Sequence, residues 1–325
     1  MAAVVRMACV LFMGLGSLAH AQPAPGVHKI GFVNVGPAVP NAKYLAALKA
    51  GFAELGYVEG KNLELIVRWG DGQPAKLPDA MKEILAAQPR LILSTGGGVT
   101  VKAAAQAAPN LPVVFITGNP LGEQLVSNLA RPSGNLTGIA VLAGQLEAKR
   151  LELLKQLVPK VKRVGMVWNP SAVAIGDIVK DVEAAAKRLG IELVDVKARS
   201  PAELDAALAD VAKAKVDALF VVSDPVLGFE RKRIVDFAAR QNLPGIYFWR
   251  EFAEIGGLAS YGASLPDVYK RLAFYADKIL KGAKAGDLPI EQPTRFEFII
   301  NQKAAAQLKL SISAELLLRA DEVIQ

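Results

Sequence analysis

The amino-acid sequence predicts an α/β protein with two parallel sheets, each covered by helices on both faces. From residue 28 onwards, short apolar runs rich in Val, Ile and Phe alternate with Ala-, Leu-, Lys- and Glu-rich stretches of helical period, which is the pattern of βαβ units. Ten such runs are too many for one small sheet but suit two. The length of 325 residues agrees, because a domain takes roughly 150 residues and the chain therefore predicts about two.

The predicted elements follow this alternation along the chain. Apolar runs bounded by turn-forming residues are assigned as strands, and the helical stretches between them as helices. The predicted strands are 29–34, 63–69, 91–94, 113–117, 138–142, 163–168, 192–196, 218–222, 245–248 and 257–261. The predicted helices are 42–55, 75–87, 100–107, 145–157, 175–189, 201–213, 230–241 and 265–281.

The first 21 residues have the pattern of a secretory signal peptide. Arg6 precedes an apolar run at 7–18, and the small residues of Ala19-His20-Ala21 follow it, as at a cleavage site. The run is shorter than the roughly 20 apolar residues that cross a bilayer. We therefore expect cleavage after Ala21 and a soluble, periplasmic mature protein.

Composition leaves little material for catalysis. The chain has one cysteine, Cys9, and two histidines, His20 and His28, so chemistry based on a thiolate, a His ligand or a Ser-His pair has almost no candidates. Glu251 and Glu254 are spaced for one helix face, but Arg250 beside them is an ion-pair partner. We expect no enzyme activity, no metal and no cofactor. The formal charge of +7 comes from scattered basic residues, which does not favour nucleic-acid binding.

An Asn-Pro or Asp-Pro pair follows three of the predicted strands, at Asn119, Asn169 and Asp224, the last preceded by Ser223. Such a pair suits an N-cap with Pro at the first helical position, so these pairs can simply start helices or turns. They also lie past the carboxyl ends of parallel strands, where open α/β sheets place ligands. If two sheets face each other, all three pairs line one cleft.

The glycine-rich segment 94–100 follows a strand and opens a helix. Backbone N–H groups there can point at an anion, with a ligand carboxylate as the natural guest; a tight turn without a ligand is the alternative. The candidate residues are Thr95, Gly96, Gly97 and Val99. Asn34 and Gly36 follow the first strand in the equivalent position.

Aromatic residues end three of the predicted strands and could clamp a flat ligand. Aromatic rings give large contact areas for little side-chain entropy, although core packing explains any single ring equally well. The candidates are Trp168, Tyr247, Trp249 and Tyr261.

Several segments together resemble one protein family over almost the whole mature chain. They are ELGYVEGKN at 54–62, LARPSGNLTG at 129–138, KRLELL at 149–154, REF at 250–252, SYG at 260–262 and LLRADEVI at 317–324. In this order they are similar to the ABC-transporter substrate-binding proteins that include the tryptophan/tyrosine uptake type. The resemblance implies a type I periplasmic-binding-protein fold, with two Rossmann-like lobes joined by three crossovers that close on a small ligand.

The resemblance also implies partners and a site. The partners are a small-molecule ligand and the ABC permease with its ATPase at the inner membrane, and we expect a monomer. The ligand loops lie around Asn34, 95–99, Asn119, Asn169, Asp224 and Tyr247, for an amino acid or another small carboxylate, aromatic ones included. This chain departs from the family's pattern at two places. It has glycine at 96–98, where relatives often have bulkier small residues, and Asn119, where Asp is frequent.

The expected lobes are residues 22–137 with 262–290 and residues 138–261 with 291–325. The candidate crossings are the turn formers at 131–135, the glycines at 256–257 and the Pro-rich segment 288–293. Two other functions fit the same two-lobe plan: a sensory module that feeds a membrane receptor, and a nucleotide-sugar-type enzyme. The enzyme would need a positioned base and a phosphate or metal site, which the sequence does not offer.

Overall fold

A computed structural model describes residues 26–132, 134–141, 143–172 and 175–325. The predicted signal peptide, residues 1–21, lies outside the described residues. Within them the strands form two sheets, one with five strands and one with seven. No helix of this part of the chain combines the length and the apolar content needed to cross a bilayer.

The first sheet is parallel throughout, in the order β2-β1-β3-β4-β5. Every residue of β3, β4 and β5 is buried, as expected for strands covered by helices on both faces. Its strands are β1 (His28–Asn34), β2 (Leu63–Trp69), β3 (Leu91–Thr95), β4 (Val113–Thr117) and β5 (Leu136–Ala140).

The second sheet has the order β12-β11-β10-β9-β8-β6-β7 and is parallel except for the pair β10 and β11. Neither β11 nor β12 is among the predicted strands, so the sheet is larger than predicted. Its strands are β6 (Arg163–Trp168), β7 (Glu192–Lys197), β8 (Ala218–Val221), β9 (Gly245–Tyr247), β10 (Ala259–Ala263), β11 (Phe296–Asn301) and β12 (Glu322–Ile324).

Helices cover both faces of each sheet, and four apolar clusters fill the layers between them. The predicted helices recur with shifted ends, and short helices follow several strand ends. The helices are α1 (Ala38–Glu54), α2 (Leu77–Ala86), α3 (Gly98–Ala107), α4 (Ala143–Leu157), α5 (Ile175–Leu189), α6 (Leu204–Lys213), α7 (Pro225–Phe229), α8 (Arg231–Arg240), α9 (Arg250–Glu254), α10 (Leu265–Leu280), α11 (Gln302–Gln307) and α12 (Ala314–Arg319).

Helix α10 follows a strand of the second sheet but packs on the first. Tyr269, Leu272 and Tyr275 belong to the apolar cluster that also holds Ile30 and Leu48. A Cβ on Gly51 of α1 would lie 2.8 Å from the backbone oxygen of Lys270, so glycine permits the close approach of the two helices. We call the first sheet with α1, α2, α3 and α10 the first lobe, and the second sheet with the other helices the second lobe.

The chain passes between the sheets later than the turn signals suggested. The turn formers at 131–135 lead into β5, because Asn135 Nδ2 donates to the carbonyls of Ala108 and Leu111 at 3.1 and 2.7 Å and holds this segment against the first sheet. The glycines at 256–257 precede β10 within the second sheet. Strand β5 thus extends past the expected boundary at 137. The exact lobe boundaries stay a prediction.

Candidate functional site

A cavity of about 130 Å³ lies where the carboxyl ends of the strands of both sheets meet. Parallel strands end at one edge of a sheet, and open α/β sheets bind ligands outside that edge. The first lobe contributes residues at the carboxyl ends of β1, β3 and β4, and the second lobe residues at the carboxyl ends of β8, β9 and β10.

Some of the residues that the sequence singled out line this cavity and others do not. The lining includes Asn34, Gly96, Gly97, Ser223, Asp224 and Trp249. The residues outside the lining are Gly36, Thr95, Val99, Asn119, Trp168, Asn169, Tyr247 and Tyr261.

Polar groups of the first lobe bond mainly to each other. The Asn34 side chain donates from Nδ2 to Thr95 Oγ1 at 2.8 Å and to the Tyr269 hydroxyl at 3.4 Å, and its Oδ1 accepts from the Gly36 N–H at 2.6 Å. Burial raises the pKa of Tyr269 to about 12, so this hydroxyl stays protonated at neutral pH. Asn34 therefore ties strand ends and α10 together.

The glycine-rich loop has the conformation that requires glycine. Gly96 and Gly97 have φ values of 92° and 96°, where other residues are strained. A Cβ on Gly98 would lie 2.4 Å from Oε2 of Glu123, and the same oxygen accepts from Thr117 Oγ1 at 2.5 Å. Burial raises the pKa of Glu123. The protein's own carboxyl group thus packs beside the loop that was expected to receive a ligand carboxylate.

Asp224 both begins a helix and lines the cavity, the two roles that the sequence left open. It is the N-cap of α7, where Oδ1 accepts from the Leu227 N–H at 3.1 Å, and it also lines the cavity. Asn169 lies behind it and donates from Nδ2 to Asp224 Oδ2 at 3.2 Å. Burial raises the pKa of Asp224. Asn119 instead accepts from the Gly122 N–H at 2.9 Å and holds a turn outside the cavity lining.

A buried ion pair on α4, missed by sequence reasoning, lies behind Ser223. Arg150 and Glu147 pair at three-residue spacing and are 1% and 0% exposed. Arg150 Nη2 donates to Ser223 Oγ at 2.9 Å and Nη1 to the Tyr261 carbonyl at 3.2 Å, while Glu147 Oε1 accepts from the Ser223 N–H at 2.8 Å. The available signal was spacing: both share an i, i+3, i+4 stripe with core residues Leu151 and Leu154.

Aromatic rings from both lobes face the cavity. Tyr44 stacks on Tyr269 in the first lobe with ring centres 5.1 Å apart. In the second lobe Trp249 lies 6.4 Å from Phe229 and 5.0 Å from Phe248. All five rings belong to the lining.

The other predicted aromatic residues pack elsewhere. Tyr247 is fully buried and stacks on Phe252 at 4.5 Å. Tyr261 packs near Phe298, 6.4 Å between ring centres. Trp168, the last residue of β6, donates from Nε1 to Asp195 of β7. Core packing, the alternative considered for these rings, accounts for Tyr247, whereas Trp168 and Tyr261 are partly buried.

The two lobes touch beside the cavity. A Cβ on Gly36 would lie 2.3 Å from Cζ of Phe229 across the gap. Lys43 Nζ of the first lobe lies 2.7 Å from Glu251 Oε1 of the second, and Arg231 Nη2 donates to the Pro40 carbonyl at 3.4 Å. These contacts narrow the opening between the lobes.

Comparison with solved structures supports the same fold. A conserved domain protein of Vibrio cholerae O1 biovar El Tor has a TM-score of 0.83 and 26% identity, over 91% of this chain and 99% of that one. The ABC domain of Streptococcus pneumoniae in complex with L-Trp also has a TM-score of 0.83, with 25% identity over 92% of this chain and 100% of that one. The two-lobe, type I periplasmic-binding-protein fold is confirmed.

Sequence comparison agrees with the structural one. The chain is 25% identical over 292 residues to the tyrosine-binding protein of Clostridioides difficile (strain R20291), which covers 88% of this chain and 82% of that one. The family model described as ABC transporter substrate binding protein matches residues 37–324. The chain therefore belongs to the family of ABC transporter substrate-binding proteins.

Proposed function

We propose that this chain is the exported solute-binding component of an ABC importer, and that it captures an amino acid with an aromatic body between its lobes. The observation that carries the proposal is the cavity walled by aromatic rings of both lobes, Tyr44 and Tyr269 on one side and Phe229, Phe248 and Trp249 on the other. Ligand sites are typically apolar with few orienting polar groups.

The cavity volume suits a ligand with one ring system. At about 130 Å³ it is close to the engineered protein cavity of about 150 Å³ that binds benzene. A ring in this space contacts both lobes at once, so binding favours the closed arrangement. Opening the lobes about the crossovers would release the ligand chemically unchanged.

The residues proposed to contact the ligand are those that line the cavity. Thr95 and Asn169 act as positioning residues for Asn34 and Asp224, and Gly36 as a contact between the lobes. Ligand-binding roles for Val99, Asn119, Trp168, Tyr247 and Tyr261 stay predictions.

Location and partners belong to the same proposal. The signal-peptide pattern at 1–21 supports export to the periplasm, and family membership supports delivery to a membrane permease with its ATPase. Delivery to a sensory receptor instead would be revealed by pull-down of a receptor without the permease. Glu251 and Glu254, the pair of carboxylates considered for acid–base chemistry, do not line the cavity.

Calorimetry with the mature chain tests the ligand class. We expect L-tyrosine, L-tryptophan or L-phenylalanine to bind, and L-alanine and L-serine to bind far more weakly. A ligand at 100 times its dissociation constant stabilises by about 2.7 kcal/mol, which a thermal shift detects. Binding of the small amino acids alone would contradict the aromatic assignment.

Tryptophan fluorescence locates the binding. Of the three tryptophans, Trp249 lines the cavity, whereas Trp69 and Trp168 lie outside the lining. Ligand should therefore change the fluorescence of the Trp168→Phe protein but not that of the Trp249→Phe protein. The reverse result would place the ligand elsewhere.

A further inference from the structure

We propose that Glu251 of the second lobe is a positioning residue of the ligand site: across the gap between the lobes it holds Lys43 and Tyr44, consecutive residues of α1, and so fixes the Tyr44 ring in the cavity wall. The inference rests on the proposed function, since it assumes that a ligand occupies this cavity and that the lobes close on it. It gives a role in binding to a residue that does not itself line the cavity.

Glu251 is buried but takes its counter-charge from the other lobe. It lies in α9 and is 3% exposed. Among the described residues its ion pair is with Lys43 of the first lobe, whose Nζ lies 2.7 Å from Oε1. The neighbouring Arg250 is engaged with three other carboxylates. A buried carboxylate without a cation is unfavourable, so burial of Glu251 depends on contact with the first lobe.

The same contact brings Glu251 to Tyr44. Lys43 Nζ lies 5.6 Å from the centre of the Tyr44 ring, which places the carboxylate beside that residue. The Tyr44 hydroxyl and both carboxylate oxygens of Glu251 are buried, and apart from one another and Lys43 they have no hydrogen-bond partner in the described part of the chain. Burial and the nearby Glu251 raise the pKa of Tyr44, so the hydroxyl keeps a proton that it can donate to the carboxylate.

The position of Tyr44 decides the shape of one cavity wall. Its ring stacks on Tyr269, whose hydroxyl accepts from Asn34 within the first lobe. The Tyr269 ring is therefore fixed by its own lobe, whereas the Tyr44 hydroxyl depends on Glu251. When the lobes are apart, water takes the place of each partner across the gap. The interaction thus stabilises the closed, ligand-bound arrangement and not the open one.

A double-mutant cycle across the gap tests the proposal. Calorimetry with the mature chain would use whichever of L-tyrosine, L-tryptophan and L-phenylalanine binds, on Tyr44→Phe, Glu251→Met and the double variant. We expect about tenfold weaker binding in each single variant, the loss of a hydrogen bond to a charged group. The double variant should lose little more, because residues in contact are not additive. Single losses that simply multiply in the double variant would overturn the inference.

Two further variants separate the hydrogen bond from the ion pair. Glu251→Gln keeps an acceptor for the Tyr44 hydroxyl and should recover part of the affinity lost in Glu251→Met. Glu254→Met is the matched control, because Glu254 lies on the same helix and contacts the same Lys43 but is 36% exposed. Its affinity should fall by about twofold or less. Equal losses in Glu254→Met and Glu251→Met would overturn the inference.

Kinetics show whether Glu251 acts on closure or only on its own lobe. Stopped-flow tryptophan fluorescence gives the association and dissociation rates, and Trp249 lines the cavity. Because Glu251 meets α1 after the lobes approach, we expect Glu251→Met to speed dissociation about tenfold at a nearly unchanged association rate. The thermal midpoint without ligand should stay the same. A lower midpoint with wild-type affinity would make Glu251 a support of its own lobe and overturn the inference.

The outcomes distinguish this inference from the proposed function. If an aromatic amino acid binds and the cycle is additive, the inference is overturned while the proposed function stands. If none of the three amino acids binds, the aromatic ligand of the proposed function falls, and the inference falls with it.

Discussion

The two walls of the cavity are both made of strand ends, but they hold their polar groups in different ways. In the first lobe Asn34, Thr95 and Tyr269 bond to one another and to backbone, and the lining has no charged residue. In the second lobe a buried ion pair lies beside Asp224. The first wall is uncharged and holds a stacked ring pair, whereas the second holds the charged residues of the lining, Arg150 and Asp224.

The largest effect should come from breaking the ion pair of the second wall. Arg150→Met leaves Glu147 buried without its cation, which costs about 3–5 kcal/mol of unfolding free energy. Urea unfolding of the mature chain measures the loss. Lys180→Met is the control, because it breaks an exposed pair of the same three-residue spacing with Asp177, worth about 0–1 kcal/mol. Equal losses of unfolding free energy in both variants would show that the buried pair stabilises the fold no more than an exposed one.

Removing the central amide of the first wall should have the next largest effect. Asn34→Ala deletes hydrogen bonds to Thr95, Tyr269 and the Gly36 N–H, at about 1–3 kcal/mol for buried groups left without partners. Urea unfolding again gives the value. Asn62→Ala removes two bonds at an exposed turn, where water replaces them, so its loss should be smaller. A larger loss of unfolding free energy in Asn62→Ala would contradict the view that the Asn34 hydrogen bonds stabilise the protein more than those of Asn62.

A smaller effect should appear where the walls touch. Gly36 has no positive φ, so alanine fits its backbone, but the new Cβ meets the Phe229 ring of the other lobe. We expect Gly36→Ala to weaken ligand binding by about 1 kcal/mol, the lower end for overpacking, with unfolding of the free protein unchanged.

Calorimetry measures this change, and two variants sharpen it. Gly176→Ala places its methyl in open space and should leave affinity as it is. Phe229→Leu weakens binding by itself because its ring lines the cavity, so it serves as a background: if the clash acts on closure, Gly36→Ala should weaken binding no further in the Phe229→Leu protein. An equal further loss in that background would mean that Gly36 acts within its own lobe.

The smallest effect should come from the ion pair that joins the lobes. Lys43 Nζ of the first lobe lies 3.1 Å from Glu254 Oε2 of the second, and the two side chains are 42% and 36% exposed, so this pair contributes about 0–1 kcal/mol. We expect Glu254→Gln to weaken binding only slightly and to flatten the dependence of affinity on salt, because screening no longer acts on this pair. Glu59→Gln, which breaks an exposed pair with Lys49 within the first lobe, should leave the salt dependence unchanged.

The sequence predicts more of the fold than of the cavity. Asp224 and Trp249 were found because they directly follow strands, and the carboxyl ends of parallel strands meet. Tyr44, Tyr269 and Arg150 lie within helices, where local spacing shows a buried face but not which helix borders the cleft. Strand β12 has three residues, too few for a periodic pattern, and its pairing with β11 depends on a long-range return of the chain.

The chain position of α10 affects how the protein can fold during synthesis. The face of the first sheet that holds Ile30, Leu91 and Val114 is covered by Tyr269 and Leu272, which are made only after five strands of the other sheet. A nascent first lobe thus lacks part of its core until translation has passed α10, and non-local contacts of this kind form slowly. A polypeptide that cannot fold early remains unfolded and able to thread through a translocation channel, as the proposed export requires.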